Sequence, residues 1–361
     1  MTTQTAAATG ATTPPRPSSA RRIARGLLLA LIGLVTFLVV AFFLGGGWYF
    51  SGQVHADGLQ VKHPGPSYGQ EVVAVGDGTI TIADPADEEP VLDGDAVYGL
   101  EWDGGYGQIS GDGTGDDDVT RDFELLSGEP PREGTLVSPD RPAFADPESA
   151  LGRSVQDVTF DSELGPLPAW YTAGSSDTWA VLVHGKGGEP AEMLRTMRTT
   201  VAAGMPSLAI SYRNDAGAPA DPSGLYQFGR TEWHDLDAAV GYATGHGARD
   251  VVLVGASMGG GIIASYLRNT PDAPVAGVVL DSPMLDFGET VSYGAEQEPL
   301  PMLGHVPAPL TWTAKQFTSL RYGVDWAATD YLDDPGWLTV PTLVVHGADD
   351  STVPLLSLIH I

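Results

Sequence analysis

No cysteine occurs in the 361 residues, and positive charge is scarce: 18 Lys and Arg stand against 46 Asp and Glu, a formal net charge of −28. The first absence excludes disulfides, thiolate nucleophiles and cysteine-based metal sites. The second argues against a nucleic-acid partner, because phosphates would be repelled. Histidine is sparse as well, 8 in all, and after Asp350 only His360 remains. Hydrophobic residues make up 42% of the chain, enough for a buried core, and the length exceeds that of one small domain. The weight of Ala, Gly, Asp and Pro suggests a G/C-rich bacterial genome.

Large apolar side chains are nearly missing from Met1 to Ala20, so this stretch is expected to be disordered. Arg21, Arg22 and Arg25 follow, and then the charge-free run GLLLALIGLVTFLVVAFFLGGGWYF. At about 1.5 Å per residue, Gly26 to Leu44 nearly spans a hydrocarbon core of about 30 Å. Trp48 and Tyr49 fall where an interfacial aromatic belt would lie. These features predict residues 1–25 as a cytoplasmic tail and 26–48 as a transmembrane helix. The rest of the chain would lie outside the cell membrane on a single-pass signal-anchor. A cleaved signal peptide is the rival, with VHA before Asp57 as a weak cleavage site. The apolar run is longer than an h-region, and that site lies well past its end.

Residues 51–150 are rich in Gly, Asp and Pro, with strand-like stretches EVVAVGDGTITIA, AVYGLEW and VTRDFELL. The alternation Thr79-Ile80-Thr81-Ile82 after Gly-Asp-Gly predicts a hairpin, within a small β-rich extracytoplasmic region. GDGTGDDD (Gly111 to Asp118) lacks EF-hand spacing and reads as a solvated acidic loop, so no metal is assigned.

From Asp157 onward, within a domain taken as 151–361, apolar strands alternate with amphipathic helices. TWAVLVHG, SLAISY, DVVLVG, VAGVVLDSP and VPTLVVHGADD read as strands; EMLRTMRTTVAAG, RTEWHDLDAAVGYATGHG and GGIIASYLRNT read as helices. The pattern predicts an α/β fold with a mostly parallel sheet covered on both faces. Ligands in such sheets bind beyond the carboxyl ends of the strands, where the notable motifs fall.

Gly255-Ala256-Ser257-Met258-Gly259 is G-x-S-x-G between a buried strand and a helix, the setting of a nucleophile elbow. Side chains at Gly255 or Gly259 would clash in so tight a turn, and Ser257 would be pushed outward. A developing oxyanion needs two backbone N–H donors. Met258, after the serine, offers one; Lys186, after His184-Gly185 in VLVHGKGG, offers the other. His184 is expected to hold the turn rather than act as base. In LVVHGADDSTVP an acid at the end of a late strand suits a triad carboxylate, with Asp349 and Asp350 competing and Asp281 ranked last. Glu232, His234 and Asp235 would spread over different helix faces and are assigned no ligand role.

Taken in order, HGKGG, GASMGGG, LDSP and HGADDSTVP make Asp157 to Pro354 resemble an α/β-hydrolase of the serine aminopeptidase and prolyl-oligopeptidase-like group. The resemblance implies Ser257 as nucleophile, Asp350 as triad acid, Met258 and Lys186 as oxyanion donors, and no cofactor. It leaves the substrate open among small-molecule and peptide esters or amides. It also leaves room for a cell-envelope acyltransferase, or for a non-catalytic binding protein on the same fold.

A triad needs a histidine after the acid. A helix and a strand normally intervene, a crossover of about a dozen residues or more. The 11 residues after Asp350 cannot supply both, so His360 is not expected to be the base. The final LSLIHI can be read as CTG TCT CTT ATA CAC ATC, which matches a transposon end used in sequencing libraries. The expectation is therefore that the natural C-terminus, with the catalytic histidine, is missing and that the chain as written is inactive. Between Met284 and Trp337, the aromatic residues Trp312, Phe317, Tyr322 and Trp326 could line an acyl or aromatic pocket beneath a lid; the favoured expectation is that they are helix residues packed on the sheet.

Overall fold

The computed structural model describes residues 19–65, 67–83, 92, 94–115, 118–348 and 350–355. Most of the N-terminal tail, Asp116, Asp117, Asp349 and His360 lie outside the described residues. The apolar run forms helix α1 (Ser19–Gln53), continued by a π-helical turn over Val54–Leu59. Helix α1 is longer at both ends than the 26–48 span, and it is exposed from Arg21 to Phe42.

Strict alternation in the next region builds a closed antiparallel barrel. Its strands are β1 (Gln70–Val75), β2 (Thr79–Ala83), β3 (Tyr98–Trp102), β4 (Gly105–Thr114), β5 (Asp118–Gly128) and β6 (Leu136–Asp140), in the order β1-β2-β5-β4-β3-β6. Every second residue points inward, so Ile80, Ile82, Leu100 and Ile109 are fully buried. Closure leaves no free edge on a small sheet. The hairpin at Gly76-Asp77-Gly78 forms as expected, pairing Val75 with Ile80. The acidic stretch departs from its loop reading: Gly111–Thr114 continue β4 and Asp118 opens β5. Cross-strand pairing there outweighs the weak strand propensity of Gly and Asp.

After α2 (Pro147–Leu151) come β7 (Gln156–Ser162), β8 (Gly165–Thr172), β9 (Thr178–Val183), α3 (Leu194–Ala202), β10 (Ser207–Ile210), α4 (Trp233–Gly245) and β11 (Asp250–Ala256). The chain continues through α5 (Met258–Asn269), β12 (Val275–Asp281), α6 (Phe287–Gln297), the short pair β13 (Pro299–Leu300) and β14 (Gly304–His305), α7 (Ala308–Tyr322) and β15 (Thr342–Val345). The sheet order is β15-β12-β11-β9-β10-β8-β7. Strands β15 to β10 in that order run parallel, as the alternation predicted, while β8 and β7 form an antiparallel edge hairpin. On one face Val181, Val183, Leu208 and Leu253 meet α4 and α5 through Leu236 and Ile262. On the other, Ala180, Leu182 and Ala209 meet α3 through Leu194 and Met197. Strand β15 is an edge, and its Leu343, Val344 and Val345 are exposed.

Of the aromatic residues after Met284, Tyr322 and Trp326 pack against the main core, whereas Trp312 and Phe317 do not pack on the sheet as expected. Phe317 stands edge-on to Trp48 of α1 with ring centroids 5.8 Å apart, and Tyr322 stacks on His55 at 4.3 Å. Trp326 stacks on Phe287, and Trp312 is exposed. Helix α7 lies along the end of α1, so α1 supplies the apolar partner that the sheet was expected to give. Gly46 and Gly47 make this approach possible: a Cβ at Gly46 would sit 2.8 Å from Leu310, and one at Gly47 would strike Thr313.

Candidate active site

Buried strand β11 drives straight into the first turn of α5, and Ser257 takes the reversal with φ +49° and ψ −117°. A side chain rarely tolerates this backbone, which costs on the order of 1–3 kcal/mol and marks a position held by its surroundings. The surroundings leave no slack. A Cβ at Gly255 would lie 2.7 Å from the Gly259 carbonyl carbon, and one at Gly259 would fall on the carbonyl oxygens of Val183 and His184. Ser257 N donates to Asp281 O (2.9 Å), and Met284 N donates to Ser257 O (3.0 Å), tying the elbow to the end of β12.

The turn after β9 lies against the elbow, since a Cβ at Gly185 would come 3.2 Å from the Ser257 Cβ. Gly185 N donates to Glu192 Oε2 (2.9 Å), so that amide is already committed. Among the described residues nothing accepts from the amides of Met258 or Lys186. Both residues, with Ser257, line one cavity of about 470 Å³. The helix N-terminus at Met258 adds its dipole at the same place.

His184 is wholly buried, with Nε2 2.8 Å from Asp215 Oδ2 and Nδ1 2.9 Å from Gly185 O. Tyr212 stacks on its ring and donates its hydroxyl to Gly185 O at 2.7 Å. Burial works against a charged imidazole here, but the bond to Asp215, its charge and the Gly185 carbonyl together raise the His184 pKa above its ordinary value. The sign of the linkage follows: the pair's stabilisation is full below the unfolded value near pH 6.5 and is lost as pH rises through the raised folded value. Asp215→Asn is therefore expected to cost about 3–5 kcal/mol at pH 6, the loss typical of breaking a buried ion pair. The gap to the parent should narrow at pH 9, as read by urea unfolding in detergent. An equal gap at both pH values would show that His184 does not change its charge between them.

Asp350 sits in the turn after β15, where its Oδ1 accepts from Thr352 N (2.8 Å) and Val353 N (2.9 Å). Thr352 and Val353 themselves line the cavity with Ser257. His346 Nε2 lies 3.1 Å from Val353 O and 3.8 Å from Asp350 Oδ2. The Asp281 carboxyl is pushed above the ordinary range by desolvation, with His346 lowering it and Asp350 raising it, so the three groups share one field.

Glu232, His234 and Asp235 do diverge. Glu232 is buried and accepts from Gln227 N and Gly229 N; His234 stacks on Trp233; Asp235 pairs with Arg213. Sequence reasoning missed Glu192, Tyr212 and Asp215, because only the fold brings them to the oxyanion turn. It also missed Phe50 at the end of α1 and Val54 in the π-helical turn that follows, which line the same cavity as Ser257. The aromatic run Trp48-Tyr49-Phe50 was legible only as a membrane belt.

A serine on a strained strand-to-helix turn, with two uncommitted amides beside it at the carboxyl ends of a mostly parallel sheet, defines an α/β protein with a nucleophile elbow. Residues 180–358, just under half of the chain, match the model of the alpha/beta hydrolase family, and the sheet domain they build has the α/β-hydrolase fold. Solved structures similar to it include an esterase from Pyrococcus furiosus (19% identity, 59% of this chain and 78% of that one, TM-score 0.46). An esterase from Exiguobacterium antarcticum is 20% identical over 56% of this chain and 84% of that one, at a TM-score of 0.39. A membrane phospholipase A, described as a bacterial virulence factor, is 18% identical over 59% and 76%, also at 0.39.

Proposed function

We propose that the protein is a membrane-anchored, extracytoplasmic serine hydrolase that cleaves an ester or amide through an acyl-enzyme. The observation that carries this reading is Ser257 at φ +49° beside two amides without acceptors, at the floor of a cavity of about 470 Å³. Ser257 Oγ attacks the substrate carbonyl carbon while its proton passes to a base, and the oxyanion is held by Met258 N–H and Lys186 N–H. The C–O or C–N bond then breaks as the base protonates the leaving group, and water releases the acid by the reverse sequence.

Asp350 orients the base, a histidine carried after it in the chain. His184 has both ring nitrogens engaged, and His346 is turned into the Asp350 loop, off the cavity wall. The exposed apolar edge of β15 suits a further strand and helix, which would bring that histidine.

Retention of α1 is supported by the packing of residues before Asp57: Phe50, Gln53 and Val54 line the cavity, Arg321 lies over Trp48, and His55 stacks on Tyr322. Cleavage at VHA would remove one cavity wall.

The test is to treat the membrane-bound chain, with its genomic 3′ end, with a fluorophosphonate and map the adduct by mass. An adduct on the Ser257 peptide is expected, and one on any other serine would overturn the assignment. Ester turnover with added alcohols separates the two acyl acceptors: free acid alone marks a hydrolase, and new esters mark an acyltransferase.

A further inference from the structure

The cavity over Ser257 is walled by the anchor itself. Phe50 and Gln53 of α1 and Val54 of the π-helical turn that follows line it together with Phe287 and Val291 of α6 and Thr311 of α7. The junction is fixed: the Arg321 guanidinium lies 3.9 Å over the Trp48 ring and donates to Trp48 O (2.9 Å) and to Ser51 Oγ. Phe50 comes six residues after Leu44, a rise of about 9 Å along the helix. The polar layer on each side of a bilayer is about 5–8 Å deep, so the cavity wall begins at the outer edge of the headgroups.

The side of the site nearest the bilayer is apolar as well. Met302 and Leu303, at the tip between β13 and β14, and Trp312, in the first turns of α7, are all exposed. Val306, between them in sequence, lines the cavity, and Leu310 of the same α7 turn touches Gly46 of α1. An apolar rim that joins a transmembrane helix to an apolar cavity fits insertion into lipid better than exposure to water.

From this we infer that the substrate is a long-chain acyl ester resident in the bilayer that α1 crosses, taken in laterally between the end of α1 and the β13–β14 tip. The inference rests on the serine-hydrolase reading for its chemistry but not for its binding test. A net charge of −28 makes a neutral or zwitterionic headgroup the better fit.

The test places the full chain in phosphatidylcholine vesicles whose acyl chains end in a diazirine, then maps photolabel by mass. Label is expected on Phe287 and Val291 of α6 as well as along residues 26–44, which serve as the internal standard. Val54→Trp, which fills the cavity, should remove the α6 label while the span label persists. The exposed double variant Met302→Asp, Leu303→Asp leaves the core untouched and should lower the α6 label about tenfold, the factor that ~1.4 kcal/mol of lost insertion represents. Label confined to the span and unmoved by either variant overturns the inference. If the fluorophosphonate still marks Ser257 in that case, the hydrolase reading stands with a soluble substrate. If the α6 label appears but Ser257 is unreactive, the lipid site stands and the hydrolase reading falls. Chain-to-chain crosslinks at Met302, Leu303 or Trp312 in place of lipid would make the rim a contact between copies and overturn the inference.

Discussion

Replacing Ser257 by alanine is expected to lower kcat/KM for an ester by about 10⁴-fold or more, some 5.5 kcal/mol of transition-state stabilisation. Only the nucleophile is removed. Alanine keeps the Cβ that the φ +49° backbone already accommodates, and among the described residues the Ser257 hydroxyl holds no hydrogen bond. Stability should therefore stay within about 1 kcal/mol, so that lost activity is not lost fold. The comparison is made on membrane-embedded protein with its genomic 3′ end, by initial rates and by thermal unfolding. A variant that retains activity to within tenfold would remove Ser257 from the mechanism.

The second large effect belongs to stability. Arg213 is 2% exposed and joins three segments that lie far apart in sequence. Its Nε donates to Asp235 Oδ2 (2.8 Å) on α4, one Nη donates to Glu163 (2.9 Å) in the β7–β8 turn, and the other lies 3.5 Å from Asp221. Arg213→Met is expected to cost about 3–5 kcal/mol near neutral pH, because two buried carboxylates lose their counter-charge.

The sign with pH can be worked out from Asp221. Burial raises its pKa, but bonds from Ser223 and Thr231 and the charge of Arg213 outweigh that and hold it below the ordinary range. Its stabilisation is thus present above an unfolded value of about 3.9 and is lost as pH falls through the depressed folded value. The penalty in Arg213→Met should shrink toward pH 3, as read by urea unfolding. A constant penalty across that range would mean that packing of the arginine stem carries the effect. Activity should fall with stability, because Arg213 is two residues from Asp215, which holds His184 in the turn beside Ser257.

Some features of this protein were fixed by local pattern. The parallel strands were legible because β9 and β10 are near-continuous apolar runs, which only a sheet covered on both faces can bury. The elbow was legible as G-x-S-x-G between a strand and a helix; the clash that requires Gly255 is local, with Gly259, whereas the one that requires Gly259 comes from the end of β9. The 79–82 hairpin was legible because its turn and alternation are adjacent. Strand β4 was not, since its glycines carry no propensity of their own and its order comes from partners on both sides. The partners of His184 were hidden for a similar reason: Asp215 is 31 residues away and meets it only when β10 lies beside β9.

The sequence by itself therefore determined the long apolar helix, the α/β layering and the serine turn, because periodicity, length and local sterics act along the chain. Tertiary structure alone decided that the end of that helix becomes a wall of the cavity beside Ser257. That outcome depends on Gly46 and Gly47 letting α7 approach and on Arg321 closing over Trp48, contacts between residues more than 260 positions apart. Hydrophobicity marks such residues as buried in something, and only the folded chain settles whether that is sheet, lipid or a neighbouring helix.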